Sequence, residues 1–247
     1  MNHARTERHD AIDALRGLAM VWMTVFHFCF DLQHFGYFKA DFYTDPAWTL
    51  QRGVIVSLFL FCAGLGQAVA VQQGQGWARF WRRWRQIAIC AALVTVGSYA
   101  MFPRSFIYFG ILHGIALMLI IVRLTAGWGR WLWLLGCLPW LAWWGAPHIH
   151  AVPGGAGFLD TPCLSWLGLV SRKPITEDYV PLAPWLGVMW WGMAAGTWVI
   201  TRRAAWLEFS LARLTRPLAL LGRWSLSYYM LHQPVLIGAL MLAGLLR

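Results

Sequence analysis

The sequence predicts an all-α fold: a polytopic helical bundle that crosses a membrane about seven times, with its N-terminus in the cytoplasm. Three observations predict it. Hydrophobic residues fill 59% of the 247 positions and charged residues only 12%. The apolar residues fall into runs of about 20, the length that spans a bilayer core. Trp occurs 18 times, with many copies near the ends of those runs, as in an interfacial aromatic belt.

The runs place helices near residues 12–32, 53–72, 87–103, 106–125, 131–146, 183–201 and 218–245. The first run is long and lacks a small-residue cleavage site after a short core, so it reads as a retained membrane helix rather than a cleaved signal. The fifth is short and holds Pro139, and the seventh is long and interrupted by Pro234. Proline removes a helix hydrogen bond, so a broken helix or an eighth span stays open there. Two external segments, 33–52 and 147–182, are long enough to carry function. Segment 147–182 holds the turn formers AVPGGAGF and the polar run SRKPITEDYVP, and acceptor specificity is expected there. No internal repeat divides the chain, which reads as one domain over 1–247.

The basic residues fix the orientation. An N-in arrangement puts Arg5, Arg8, Arg16, the group Arg79, Arg82, Arg83 and Arg85, and most of the remainder on the cytoplasmic side. It leaves Lys39, Arg52, Arg104, Arg172, Lys173 and Arg247 outside. A net charge of +10 would suit nucleic acid if it formed one patch, but it is dispersed in short clusters between apolar runs, so no nucleic-acid partner is expected. The five cysteines, at 29, 62, 90, 137 and 163, show neither a CxxC spacing nor a disulfide framework and read as packing residues, with Cys163 in a loop.

The chemistry concentrates in RGLAMVWMTVFHFCFDLQHFG, residues 16–36. At about 100° per residue, Arg16, His27, Asp31 and His34 lie on one helical stripe. A charge facing lipid at mid-bilayer costs roughly 2.5–3.5 kcal/mol or more, which turns that stripe toward the bundle interior. Counting a rise of about 1.5 Å per residue puts His27 about 22 Å from the inner start of the first helix and His232 about 21 Å from that of the seventh. The same count puts His113 about 10 Å from the outer start of the fourth. All three imidazoles then sit in the outer half of the membrane at similar height.

Imidazole is the side chain best suited to moving a proton near neutral pH. Asp31, one turn from His27, can orient the ring and raise its basicity, making the two a general-base pair. His113, His232 or His34 would steady an oxyanion or position a substrate. With one carboxylate and no thiolate spacing, the cluster is not expected to bind metal. Arg16 and Arg223 stand where the first and seventh helices enter the membrane, and guanidinium suits phosphate. Residues alone also admit a transporter or channel for a polar solute, with the same His and Asp groups as a proton pathway. They admit as well a structural subunit whose polar groups lock helices together.

Four motifs in order, AIDALRGLAMVWMTVFHFCFDL, GILHGIAL, DYVPLAPWLG and LGRWSLSYYMLHQPVL, resemble bacterial proteins with a heparan-alpha-glucosaminide N-acetyltransferase-like catalytic domain. That family is similar to a wider transmembrane acyltransferase superfamily, in which an Arg, ten residues and a His mark the first helix, as Arg16 and His27 do here. The resemblance runs from about residue 8 to 242. It implies transfer of an acetyl group from cytoplasmic acetyl-CoA to a hydroxyl or amine of a sugar or glycan acceptor on the far side of a bacterial inner membrane. A coenzyme A thioester and membrane lipid are then partners, and a homodimer is allowed. His113 and His232 match polar positions of the helix motifs, and Asp178 and Tyr179 fall in the external motif, as acceptor-binding candidates. In the lysosomal enzyme of this family the key His follows the first helix, with His34 its nearest counterpart, and Asn stands where this chain has His27. Both direct transfer and an acetyl-His relay are chemically open, and direct transfer needs only one base and a shared cavity.

Overall fold

The structure, a computed structural model, describes residues 9–152, 157–203 and 215–245. Among them the chain is helical, with one isolated β-bridge between Phe109 and Tyr179 and no strand. It divides into two compact units, residues 1–59 with 203–247, and residues 60–202.

In the first unit, α1 (Asp10–His34) begins with Asp10 and Asp13 in its first turn, where carboxylates oppose the positive end of the helix dipole. It ends because Gly36 takes a left-handed φ of 78°. That bend lets the amides of Gly36 and Tyr37 return to the carbonyls of Gln33 and Leu32. The connection is then pinned by aromatics: Phe42, buried, stands edge-on to Phe26 and Phe30 and lies 4.1 Å from the Trp48 ring. Asp41 closes the turn by accepting from the backbone of Tyr43 and Thr44 at 2.8 and 3.0 Å. The next helix, α2 (Pro46–Gln72), starts seven residues before the expected 53, because Pro46 suits a first helical turn. The expected external segment 33–52 therefore shortens to the loop between His34 and Pro46. α2 continues into the second unit.

The chain returns to the first unit through α8 (Arg216–Arg223) and α9 (Ser225–Leu245). The expected single helix over 218–245 is broken at Trp224, not at Pro234, which α9 contains. The break is a reversal. A Cβ on Gly17 would strike the Leu218 carbonyl, and one on Gly222 the Asp13 carbonyl, so α8 runs antiparallel to the start of α1 at backbone contact. α9 then runs parallel to α1, Tyr228 meeting Thr24 and His232 meeting His27. The depth counted from residue 218 is therefore not a helix length, although it led to the same neighbour.

In the second unit, α3 (Trp77–Met101) contains Arg79, Arg82, Arg83 and Arg85 in its opening turns, so this cluster belongs to a helix rather than to a connecting loop. α4 (Ile111–Leu124) is hinged back on α3: Arg123 reaches the Gln75 carbonyl and lies over the rings of Trp77 and Phe80. The expected helix over 131–146 is two, α5 (Trp131–Leu135) and α6 (Cys137–His150), broken at Gly136. There Trp191 and Gly187 of α7 (Leu182–Arg202) press against the glycine. Pro139 lies in the first turn of α6, where its missing N–H has no acceptor to lose, so it is not the break. On α2 and α7, a Cβ on Gly64 or Gly192 would meet the facing backbone at Met189 or Phe61, the close approach that small residues permit between apolar helices.

Among the described residues, three helices are long and apolar enough to cross a membrane, at Asp10–His34, Pro46–Gln72 and Ser225–Gly244. The other expected spans fall short for physical reasons. α4, at 14 residues, rises only about 21 Å, α3 carries four arginines, and α7 is diluted by Trp and Gly. Exposed Trp77, Trp131, Trp144 and Trp224 leave wide apolar surface outward, as lipid contact requires.

Candidate active site

The first unit brings two of the expected residues, His27 and His232, into direct contact. Nδ1 of His27 lies 2.8 Å from Nε2 of His232, with the rings nearly parallel at 5.0 Å. The other ring nitrogen of His232, Nδ1, is 2.7 Å from the Tyr229 carbonyl. A carbonyl can only accept, so Nδ1 of His232 carries a proton, and in the neutral ring its Nε2 is a lone pair. His27 must then donate from Nδ1, which leaves its own Nε2 as a lone pair with no other hydrogen bond among the described residues. Backbone geometry thus selects the tautomer of a base two residues removed. The Tyr228 ring stacks on His232 at 6.0 Å, and its hydroxyl meets Thr24 Oγ1 at 2.8 Å, fixing the stack to α1.

Asp31 does not complete a pair with His27. Its buried carboxylate accepts from Nε2 of Gln233 at 2.8 Å, through Oδ1. Neighbours in sequence, His232 and Gln233, therefore engage neighbours on one face of α1, His27 and Asp31. His34 ends α1 and is exposed, edge-on to Phe35 and near enough to act electrostatically on Asp31.

At the other end of α1, Arg16 and Arg223 also converge, but they arrive with partners. Arg16 Nη1 lies 3.0 Å from Asp13 Oδ1, and Arg223 lies 2.5 Å from Asp10 Oδ1 and 3.7 Å from Asp13 Oδ2. Asp13 is buried between the two guanidiniums. The Arg223 side chain is 41% exposed, against 22% for Arg16, so Arg223 is the more accessible cation.

The remaining candidates lie in the second unit, and each has structural work. His113 accepts from the Gly110 amide through Nδ1 at 3.2 Å and meets Thr95 Oγ1 through Nε2 at 3.0 Å, holding the first turn of α4. Asp178 Oδ2 accepts from the Ile111 amide at 2.7 Å, capping the same helix from outside it. The Tyr179 hydroxyl donates to the Ser165 carbonyl at 2.6 Å. Burial, with Tyr108 adding to it, pushes the Tyr179 phenol well above its ordinary range, which keeps it a donor. Segment 176–180 is thereby laced along 105–111, through Glu177 to Ser105 and Val180 to Phe109.

The sequence reading missed Gln233, Tyr228, Thr24, Asp10 and Asp13. Asp13 stands three residues before Arg16, the spacing at which helical charges pair, so it was within reach. The others depend on how α9 meets α1. Among the described residues no group of three or more His, Cys, Asp or Glu side chains could hold a metal ion.

Residues 8–234 match the family model described as heparan-alpha-glucosaminide N-acetyltransferase, catalytic. The chain belongs to that family. The match covers both units and all the site residues above. No curated protein and no solved structure gives a significant match. Membership in the heparan-alpha-glucosaminide N-acetyltransferase catalytic family, together with the three long apolar helices among the described residues, marks the chain as a membrane protein of an acetyltransferase family that acts on sugar acceptors.

Proposed function

We propose that this chain is a membrane-embedded acetyltransferase. It moves an acetyl group from cytoplasmic acetyl-CoA to a hydroxyl or amine of a sugar-containing acceptor on the external side of a bacterial inner membrane. The observation that carries the reading is the relay Tyr229 carbonyl, His232, His27, which leaves Nε2 of His27 as an oriented base within an apolar unit.

In the reaction, Nε2 of His27 takes the proton of the acceptor O–H or N–H as that atom attacks the thioester carbonyl. The carbon–sulfur bond breaks, and the imidazolium returns the proton to the departing coenzyme A sulfur. The charge that develops on the ring spreads through the Nδ1–H to His232. Direct transfer is the simpler course, because an acetyl group on His27 would occupy the lone pair that serves as the base. The donor's phosphates belong at the Arg16 and Arg223 end of the unit, where Arg223 is exposed and Asp10 and Asp13 keep the two guanidiniums in place. With the N-terminus inside, donor and acceptor reach α1 toward opposite ends, the phosphates beside Arg16 and Arg223 and the sugar beside His27.

Purified protein in detergent, given radiolabelled acetyl-CoA and D-glucosamine, tests the reading. Label is expected in the sugar with wild type and not with His27→Ala, while both proteins remain folded. Label retained on His27 or His34 in the absence of sugar would replace direct transfer with the relay, and undiminished transfer by His27→Ala would remove the base.

A further inference from the structure

Resting on that function, we infer that Asp31 and Gln233 form a two-acceptor clamp that holds a second hydroxyl or ammonium of the acceptor molecule, beside the group that reacts at His27. The starting point is two atoms without partners. Asp31 is 97% buried, and its Oδ2 has no hydrogen bond; neither has Oε1 of Gln233, also buried. A buried acceptor left unpaired costs about 1–3 kcal/mol, and two on one linked pair of side chains is uncommon enough to require an explanation.

The polarity of these atoms is fixed by the contact between them. Gln233 Nε2 lies 2.8 Å from Asp31 Oδ1. An ionised carboxylate only accepts, so the amide nitrogen must face it, and Gln233 Oε1 is turned away as an acceptor. Asp31 anchors the amide with one oxygen and presents the other, so both orphan atoms call for donors. A carbonyl, carboxylate or phosphate of a ligand would be repelled there. Hydroxyls and ammonium groups are the donors that fit.

Position gives the clamp its role. Asp31 follows His27 by four residues on α1, about 6 Å along the axis, and Gln233 directly follows His232 on α9. A sugar carries several hydroxyl or amino groups around one ring, so one substituent can meet the His27 base while another meets the clamp. The two places take different groups. An ammonium held against Asp31 has no lone pair, so it cannot be the attacking nitrogen; the group that is acetylated is the one facing His27. The clamp therefore selects acceptors with at least two donors on one molecule, and it sets which one reacts.

Equilibrium binding without acetyl-CoA tests the clamp apart from the reaction. The probes are methyl α-D-glucopyranoside, methyl α-D-glucosaminide and the mono-deoxy derivatives of the former, measured by calorimetry on the full chain in detergent. For wild type, removal of one particular hydroxyl is expected to weaken binding about tenfold or more, as loss of a partner to buried acceptors does. Asp31→Asn keeps an oxygen for the Gln233 amide and replaces the orphan acceptor by a donor; a hydroxyl can still accept there but an ammonium cannot, so the penalty for that hydroxyl should shrink and an ammonium in its place should be rejected. In turnover the variant should raise KM for the sugar and leave KM for acetyl-CoA unchanged. Gln233→Met serves as the second variant should Asp31→Asn fail to fold; it removes one of the two acceptors, so the hydroxyl's effect should shrink.

If no deoxy derivative binds more weakly than the parent, or if the penalty persists undiminished in both variants, the clamp is wrong. Failure of wild type to bind any probe also overturns it. Sugar binding with this pattern but without transfer from acetyl-CoA would uphold the clamp and remove the acetyltransferase reading. Transfer that ignores the second hydroxyl would do the reverse.

Discussion

His27 Nδ1 and His232 Nε2 lie 2.8 Å apart, and the second ring is held by the Tyr229 carbonyl. One substitution removes the base and the other removes the group that sets its tautomer, so the two have different kinetic signatures. His27→Ala should lower kcat by about 10²–10⁴-fold, the usual worth of a positioned general base. His232→Ala should lower kcat less and leave both KM values near wild type, because His27 survives but can place its proton on either nitrogen. The pH profile separates them: only His232→Ala should keep a bell-shaped or sigmoidal dependence, at a shifted midpoint. Equal residual rates and flat profiles in both variants would show that the rings act otherwise.

The approach of α8 to α1 makes a stability prediction. A methyl group on Gly222 would land on the Asp13 carbonyl, whereas one on Gly238, in the same unit, meets open space. Gly222→Ala should therefore destabilise by about 1–3 kcal/mol through overpacking. Gly238→Ala should be neutral or stabilising by about 0.5–1 kcal/mol, because it removes backbone freedom from a helix. Thermal unfolding in detergent, followed by Trp fluorescence, reads the contrast. Gly222→Ala should also disturb Arg223, next in sequence, and so weaken donor stabilisation.

What was legible in the sequence follows from which forces are local. The stripe of Arg16, His27, Asp31 and His34 is a property of one helix, and periodicity alone gave it. The partners of those residues depend on a reversal at Trp224 between two apolar stretches. Arg223 stands at that reversal but reads in the sequence as an interfacial anchor of one continuous helix, and Pro234 pointed to the wrong place. Gly136, Gly17 and Gly222 have roles only as places where another backbone arrives, which one chain's pattern does not reveal. The arginines of α3 misled for the opposite reason: a cluster of charge looks like a loop in a hydropathy trace, yet arginine is a good helix former. Asp31 and His27 stand at pairing distance in sequence, and α9 offers each a different partner.

The Asp160–Ser171 contact in segment 157–182 gives a pH dependence whose sign can be worked out. Asp160 accepts from the Ser171 amide at 2.7 Å and the Ser171 hydroxyl at 2.9 Å, with His150 Nδ1 3.8 Å away. The backbone bond first, and then the hydroxyl, hold the Asp160 carboxyl below its ordinary value. A depressed folded value means the contact stabilises fully above the unfolded value, about 3.9, and is lost as pH falls through the lower one. Resistance of this segment to pepsin should therefore persist near pH 4 and fail at more acidic pH. Ser171→Ala keeps the amide bond but loses the hydroxyl, so nicking should begin at a higher pH than in wild type when the two are digested side by side. Identical onset would show that the contact does not hold the segment.

Asp178 offers the sharpest separation of fold from function. Its carboxylate reaches the Ile111 amide at 2.7 Å, at the first turn of α4, where four amides have no partner within the helix. If the cap is its task, Asp178→Ala should cost about 0.5–2 kcal/mol of stability, with KM for the sugar unchanged once the protein is assayed below its lowered unfolding temperature. If Asp178 binds the acceptor, KM should rise while thermal unfolding stays put. Asp178→Asn sharpens the contrast, since its Oδ1 can still accept from Ile111 while the charge is gone: a cap tolerates that change, and a contact to an amino sugar's ammonium does not. The structure favours the cap, because a Cβ placed on Gly110 would strike this same carboxylate oxygen, which is therefore seated against the backbone. Wild-type stability together with a raised sugar KM in Asp178→Asn would move Asp178 from the scaffold into the acceptor site.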